Sequence, residues 1–351
     1  MYISQKTNNK SKKINIIYLS YYNNTPSGGN KIIYNHSELI NKINLNFNSE
    51  IIHFKYNNKK WKNLLYKLSK NNNHLTDSIE IIKNSKYSWF NNNIKIKSDF
   101  TFSKDNDFVI IPEIVAHVFG KYFFNKKIKY AIFVQNAYLI PSNNSYKEIN
   151  NVYKNSEFVL SYSKEINDCL KLIFPFIKKK ILETSTSIKI NKFKKKYKKE
   201  NLITYMPRKL SDHAKILIFF LERHIPKNWR IKKIDNLSEK ETFKYLNKSK
   251  IFLSLSNLEG LGLPPLEAAL AGNKVVGYTG EAGKEYWKKP MFIEIYNGDL
   301  KKFCKTILNA INNKVKINNK STNKKLFFKY SKKYEEINII KMLKKIETII
   351  K

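Results

Sequence analysis

Short β-branched, apolar runs alternate with stretches of helical periodicity along most of this chain, and that alternation limits the fold more than any other feature. The run Ile14–Ser20 leads into Tyr21–Asn30, which carries Pro26 and the pair Gly28–Gly29. Lys31–Ile43 then sets Ile32, Ile33, Ile40 and Ile43 on one side, so the unit reads strand, glycine turn, helix. Further strands are predicted at Glu50–Phe54, Asp107–Ile111, Lys129–Val134 and Glu157–Ser161, with helices between several of them such as Lys164–Ile173. After the basic, polar tract Thr184–Asn201 the pattern starts again: strand Leu202–Tyr205, helix Asp212–Arg223, strand Trp229–Ile234, helix Glu239–Lys248, strand Ile251–Leu255, helix Pro264–Ala271, strand Lys274–Tyr278. Ser238 and Glu241 have the spacing of a capping box.

Such alternation predicts parallel α/β sheets, and 351 residues suffice for two cores. We expect two Rossmann-like domains facing a central cleft, the first over residues 1–183 and the second over 201–330, joined by a basic linker at 184–200. Residues 331–351 are expected to form a closing helix, since Ile339, Met342, Ile346 and Ile349 of Lys332–Ile350 fall on one helical side.

Charge narrows the partners. With 66 Lys and Arg against 28 Asp and Glu the formal net charge is +38, which favours phosphates, anionic membrane surfaces and nucleic acid. The lysines are spread through the chain and no nucleic-acid module appears, so no specific nucleic-acid partner is expected. Lysines at Lys59–Lys62 and Lys192–Lys199 could hold the protein at an anionic membrane surface; codon drift toward Lys, Asn and Ile is the plainer explanation of them. No apolar run approaches the length of a membrane span, and Ile14–Leu19 is too short for an export signal. Cys169 and Cys304 stand alone, which fits a reducing, cytoplasmic setting with at most peripheral contact at the inner face of a membrane. The six histidines lack metal-ligand spacing, and Asp105-Asn-Asp107 precedes a strand where a metal-binding carboxylate pair should follow one, so no metal is expected.

The chain holds ten glycines, and six of them, Gly260 to Gly283, fall within 24 residues. The segment Leu253-Ser-Leu-Ser-Asn-Leu-Glu-Gly-Leu-Gly-Leu-Pro-Pro-Leu-Glu-Ala-Ala-Leu-Ala-Gly reads as a buried strand, a glycine loop and a small-residue helix stopped at Gly272. Glycines after a strand let the backbone approach a ligand, and helix-start N–H groups favour a phosphate. Glu259 and Glu267 bracket the loop. A carboxylate accepts paired hydrogen bonds from vicinal hydroxyls, which suits Glu267 to a ribose and Glu259 to a second sugar.

This Glu259-x7-Glu267 pair, within Glu-Gly-Leu-Gly-Leu-Pro-Pro-Leu-Glu-Ala-Ala-Leu-Ala-Gly, resembles the signature of GT-B retaining glycosyltransferases of the family 4 type. The resemblance implies the GT-B fold, with the closing helix 331–351 returning to the first domain, and transfer of a sugar from a nucleotide-diphosphate sugar to a glycan or lipid-linked acceptor, in surface polysaccharide or glycan synthesis, without a cofactor. It implies a catalytic set of Glu259, Arg208 and Lys209, the cations from Tyr205-Met-Pro-Arg-Lys lying on the donor diphosphate. Lys215 is the alternative to Lys209. Donor binding would fall to Glu267, the loop Gly260, Leu261, Gly262 and Leu263, and the turn Gly28–Gly29. Strand ends would bring Glu113, His117, Gln135 and Asn136 to the acceptor side; the His-containing pattern is not clean, and His117 reads equally as an ordinary helix residue. Two other functions fit the same scaffold: a nucleotide-sugar epimerase, and a non-catalytic basic protein that binds nucleic acid or membrane.

Overall fold

The computed structural model describes residues 13–23, 27–43, 46–56, 79–83, 86–87, 90, 92–141, 145–188, 197–313 and 328–351. The β-branched runs become strands and the periodic stretches helices: β1 (Ile14–Tyr21), α1 (Gly28–Ile43), β2 (Phe47–Tyr56), β3 (Ile79–Ile81), β4 (Asp107–Pro112), α2 (Ala116–Asn125), β5 (Lys129–Phe133), α3 (Tyr146–Asn155), β6 (Val159–Ser161), α4 (Lys164–Ile173) and β7 (Ile181–Glu183). The second series is β8 (Glu200–Tyr205), α5 (Ser211–Glu222), β9 (Arg230–Lys233), α6 (Glu239–Lys248), β10 (Ser249–Glu259), α7 (Leu263–Leu270), β11 (Lys274–Glu281), β12 (Phe292–Glu294) and α8 (Leu300–Asn312), closed by α9 (Lys332–Ile350).

Two sheets result. The first has the order β3-β2-β1-β4-β5-β6-β7, with β3 antiparallel to β2, and the second the order β12-β11-β10-β8-β9. In each the chain runs outward to one side of its first strand, then crosses to build the other side: β1 lies between β2 and β4, and β8 between β9 and β10. Loops leaving two neighbouring strands toward opposite sides open a crevice at their carboxyl ends, the usual ligand site of an open α/β sheet. Each sheet thus has one such switch point.

Alternation along β10 fixes the layers of the second sheet. Ile251, Leu253 and Leu255 share a core with Ala214, Leu217 and Leu221 of α5 and Phe303, Ile307 and Ile311 of α8. Phe252 points to the other core, with Phe243 and Leu246 of α6 and Leu266, Ala268 and Leu270 of α7. The expected capping box at Ser238 and Glu241 starts α6.

Contacts divide the chain into two compact units, one of residues 1–133, 144–159 and 339–351, the other of 134–143 and 160–338. This division sets 134–143 and 160–183 with the second series of elements, where the sequence suggests one break at 184–200. Within α9, Lys332–Asn338 falls in the second unit and Ile339–Lys351 in the first, where Ile339, Met342, Leu343 and Ile346 are buried. Lys345 lies over the Phe158 ring there, 5.3 Å from its centroid.

Several local expectations change. Gly28–Gly29 is the first turn of α1 instead of a free turn before it. Ser27 and Asn30 explain the earlier start: Ser27 Oγ donates to Asn30 Oδ1 at 2.5 Å, the Asn30 N–H donates to Ser27 Oγ at 3.2 Å, and Asn30 Nδ2 reaches Ser20 Oγ at 2.8 Å. A serine hydroxyl and an amide three residues on therefore satisfy one another at the helix start. Thr184, Ser185 and Thr186, read as linker, are buried. Lys199 is the larger correction, because its ammonium donates to the carbonyls of Leu246 (3.3 Å), Ser249 (2.8 Å) and Ala271 (2.7 Å). Burial pulls it down to about 7, while three carbonyl acceptors demand all three of its protons. Residues 189–196 and Lys59–Lys62 lie outside the described residues.

Candidate functional site

β10 runs six residues past Leu253, which pairs with Tyr205 at the end of β8, so its tip at Glu259 overhangs the turn Met206–Leu210. That turn carries Arg208 and Lys209, both exposed. Lys209 Nζ lies 3.5 Å from Glu259 Oε1, an ion pair set across the switch point of the second sheet. Arg208 beside it has no carboxylate partner among the described residues. Lys215 sits on α5 with Asp212, one turn earlier, as its partner at 3.8 Å. Of the two lysines suggested by sequence, the structure therefore brings Lys209 to Glu259.

The glycine loop is a tight bend whose shape requires its residues. Gly262 caps α7 at φ 78°, in the left-handed region that glycine occupies without strain. A Cβ on Gly260 would stand 1.8 Å from the Gln135 carbonyl oxygen, so only glycine fits there. Leu261 between them is buried, and Leu263 opens α7. Pro264 and Pro265 follow, and having no N–H they leave the helix start with fewer donors than a glycine loop alone suggests. More of any anionic charge must then be met by Arg208 and Lys209. Glu267, one turn further on, is buried at 9% exposure.

Three side chains hold this loop, and of them Tyr162 carries no mark in the sequence pattern. Asn136 Nδ2 donates to the Leu258 carbonyl at 2.9 Å, fixing a non-glycine residue at φ 45°. Tyr286 OH donates to the Gly262 carbonyl at 2.7 Å from a buried ring. Tyr162 OH donates to the Gln135 carbonyl at 2.6 Å, the oxygen that Gly260 faces. Gln135 and Asn136, read as acceptor-side residues, thus brace the glycine loop within the second unit.

The other switch point, between β1 and β4, receives Glu113 and His117. Glu113 is buried at 4% exposure directly after β4. His117 lies on α2, with both ring nitrogens buried and without a hydrogen-bond partner among the described residues. Burial pushes its pKa down to about 4 against a weaker opposing pull from Glu148, so the ring is neutral at pH 7. Asp107 of the Asp105-Asn-Asp107 triplet accepts from Asn15 Nδ2 and the Ser103 N–H, both at 2.8 Å, which gives it a structural post at the start of β4. No group of three or more His, Cys, Asp or Glu suited to a metal occurs among the described residues.

A scan of protein-family models and a search of curated proteins each found no match. Solved structures do match. HepE from Anabaena, in complex with UDP, has a TM-score of 0.63 at 12% identity, covering 95% of this chain and 100% of that one. The lipopolysaccharide outer core galactosyltransferase WaaB has a TM-score of 0.61 at 13% identity over 94% of this chain and 99% of its own. The catalytic domain of starch synthase IV from Arabidopsis thaliana, bound to ADP and acarbose, has a TM-score of 0.57 at 8% identity over 97% and 100%. Identities this low establish the fold alone: it is the GT-B glycosyltransferase fold.

Proposed function

We propose that the chain is a metal-independent glycosyltransferase that moves a sugar from a nucleotide-diphosphate sugar to an acceptor hydroxyl, with retention at the anomeric carbon. The observation that carries this reading is the gathering of the Lys209–Glu259 pair, the exposed Arg208, the left-handed Gly262 and the carboxylate of Glu267 around one sheet switch point. HepE in complex with UDP and starch synthase IV bound to ADP support a nucleoside diphosphate as the leaving half of the donor.

In this reading Glu267 accepts hydrogen bonds from the two ribose hydroxyls, a task for a buried carboxylate. Arg208 bridges diphosphate oxygens through its planar guanidinium, and Lys209 adds a point charge. As the bond from the anomeric carbon to the diphosphate breaks, negative charge grows on the leaving oxygen, and these two cations stabilise it most at that moment. Glu259 holds hydroxyls of the transferred sugar. The acceptor oxygen bonds to the anomeric carbon on the face the diphosphate leaves, and its proton departs with the diphosphate. No cofactor takes part, and the acceptor is a glycan or a lipid-linked sugar of surface polysaccharide synthesis.

Calorimetry with UDP and other nucleoside diphosphates tests the reading. Glu267→Ala is expected to weaken the preferred nucleotide by about 2 kcal/mol, the scale of hydrogen bonds to a charged group. A folded wild-type protein that binds none of them would overturn the proposal, and an unchanged affinity in the variant would remove the ribose assignment.

A further inference from the structure

The solvent side of α5 is not what an ordinary surface helix presents. Ile216, Phe219 and Phe220 are 41%, 72% and 40% exposed, and their spacing of three and four residues places them in one outward stripe. The opposite side of the same helix, Ala214, Leu217 and Leu221, is already buried in the core. The stripe is therefore surplus to folding. Isolated exposed apolar residues need no explanation, but a row of three with two phenylalanines is an interaction feature.

The charges around it say what kind. α8 packs beside α5 on the same core, so the outer sides of the two helices adjoin. α8 exposes Lys301, Lys302 and Lys305, and the stripe on α5 runs into exposed Arg223 and Lys227. Tyr296, 72% exposed just before α8, lies under Lys302 with the ammonium 5.6 Å from its ring centroid. Against these cations the outer side of α5 sets Asp212, which Lys215 neutralises, and Glu222. A second copy of the chain fits poorly as occupant, since +38 would face +38. Apolar rings that enter the headgroup boundary, rimmed by cations that meet lipid phosphates, are the two components of interfacial binding.

We propose that the outer face of α5 and α8 docks on an anionic lipid bilayer, with Ile216, Phe219 and Phe220 entering the interface and Arg223, Lys227 and the α8 lysines on the headgroups. This surface belongs to the second unit alone and does not depend on what the chain transfers. The mode is peripheral: no helix of the described residues is long and apolar enough to cross a membrane.

Sedimentation of the full chain with vesicles tests it, using phosphatidylcholine alone and phosphatidylcholine with about 30% phosphatidylglycerol. The expected result is low-salt binding to the anionic vesicles only, weakened as salt shortens the screening length. Phe219→Ser with Phe220→Ser, and separately Lys301→Gln with Lys302→Gln and Lys305→Gln, should each lower the partition about tenfold or more, since each removes one of the two binding components. Melting temperature and nucleotide affinity should stay at the wild-type values, because all five side chains face solvent. No binding to anionic vesicles overturns the proposal, as does full binding by both variants. A drop in the vesicle-free molecular mass of the serine variant also overturns it, because the stripe would then join two copies of the chain.

Discussion

The two switch points are built on the same plan and furnished in opposite ways. Between β1 and β4 the polar groups are withdrawn from solvent: Ser20, Ser27 and Asn30 close a network at the start of α1, and the neutral His117 ring buries both its nitrogens. Between β8 and β10 charge stays in reach of solvent, with Arg208 exposed and the Lys209 and Glu259 side chains 36% and 22% accessible. Buried side chains there, Asn136 and Tyr286, serve the main chain of the glycine loop. The difference teaches that one topology can be furnished in two ways: the second crevice sets a main chain held in a demanding shape beside accessible opposite charges, and the first a set of buried polar groups.

The sharpest way to break this contrast is to add one methyl group at each glycine turn. Gly260→Ala forces a carbon against the Gln135 carbonyl and should cost about 3 kcal/mol together with nucleotide binding, as overpacking does. Gly28→Ala, at an exposed first helical position, should change stability by less than about 0.5 kcal/mol. Urea unfolding of both variants decides it, and equal losses would erase the distinction.

A somewhat smaller effect separates cations. Arg208→Ala should lower kcat about 100-fold at saturating donor, or about 2.7 kcal/mol, with an unchanged melting temperature. Lys215→Ala, whose ammonium is tied to Asp212 on the helix surface, should stay within about threefold. A fall confined to KM in the arginine variant would make Arg208 a binding residue only.

The smallest effect probes His117 through acid. Its folded pKa of about 4 lies below the value near 6.5 of an unfolded chain, so on acidification the unfolded state takes the proton first. The stability it lends is complete above about pH 6.5 and is lost as pH falls toward 4, about 2 kcal/mol of it by pH 5. His117→Leu should flatten that part of the profile relative to wild type. Identical acid profiles would show that the ring is protonated in place and that the first crevice keeps a titrating group after all.

Regular structure was legible because it follows from local periodicity. Lys164–Ile173, Glu239–Lys248 and Lys332–Ile350 have the boundaries that spacing and caps predict. Strand ends were read short, Leu255 for Glu259 and Tyr278 for Glu281, because the last residues of β10 and β11 pair across an irregularity where apolar alternation has already stopped. The glycine loop was legible for the opposite reason, since a left-handed Gly262 and a Cβ-free Gly260 leave a mark in composition. Lys199 and Tyr162 left none, and Asn136 was legible as a strand-end residue but not as the partner of the Leu258 carbonyl. A lysine in a basic tract looks like every other lysine until three carbonyls, supplied by α6, β10 and the end of α7, converge on it.

The contact at Gly260 also limits how this protein could change. When a side chain crowds a side chain, a second substitution can shrink the neighbour and restore the fit, and the two replacements then depend on each other. At Gly260 the neighbour is a main-chain oxygen, present whatever amino acid occupies position 135. A selection for suppressors of Gly260→Ala should therefore return revertants and changes that shift the whole Gln135–Asn136 turn, such as loss of the Asn136 or Tyr162 hydrogen bonds that pin it. Substitutions at 135 that trade one side chain for another should be missing from the survivors.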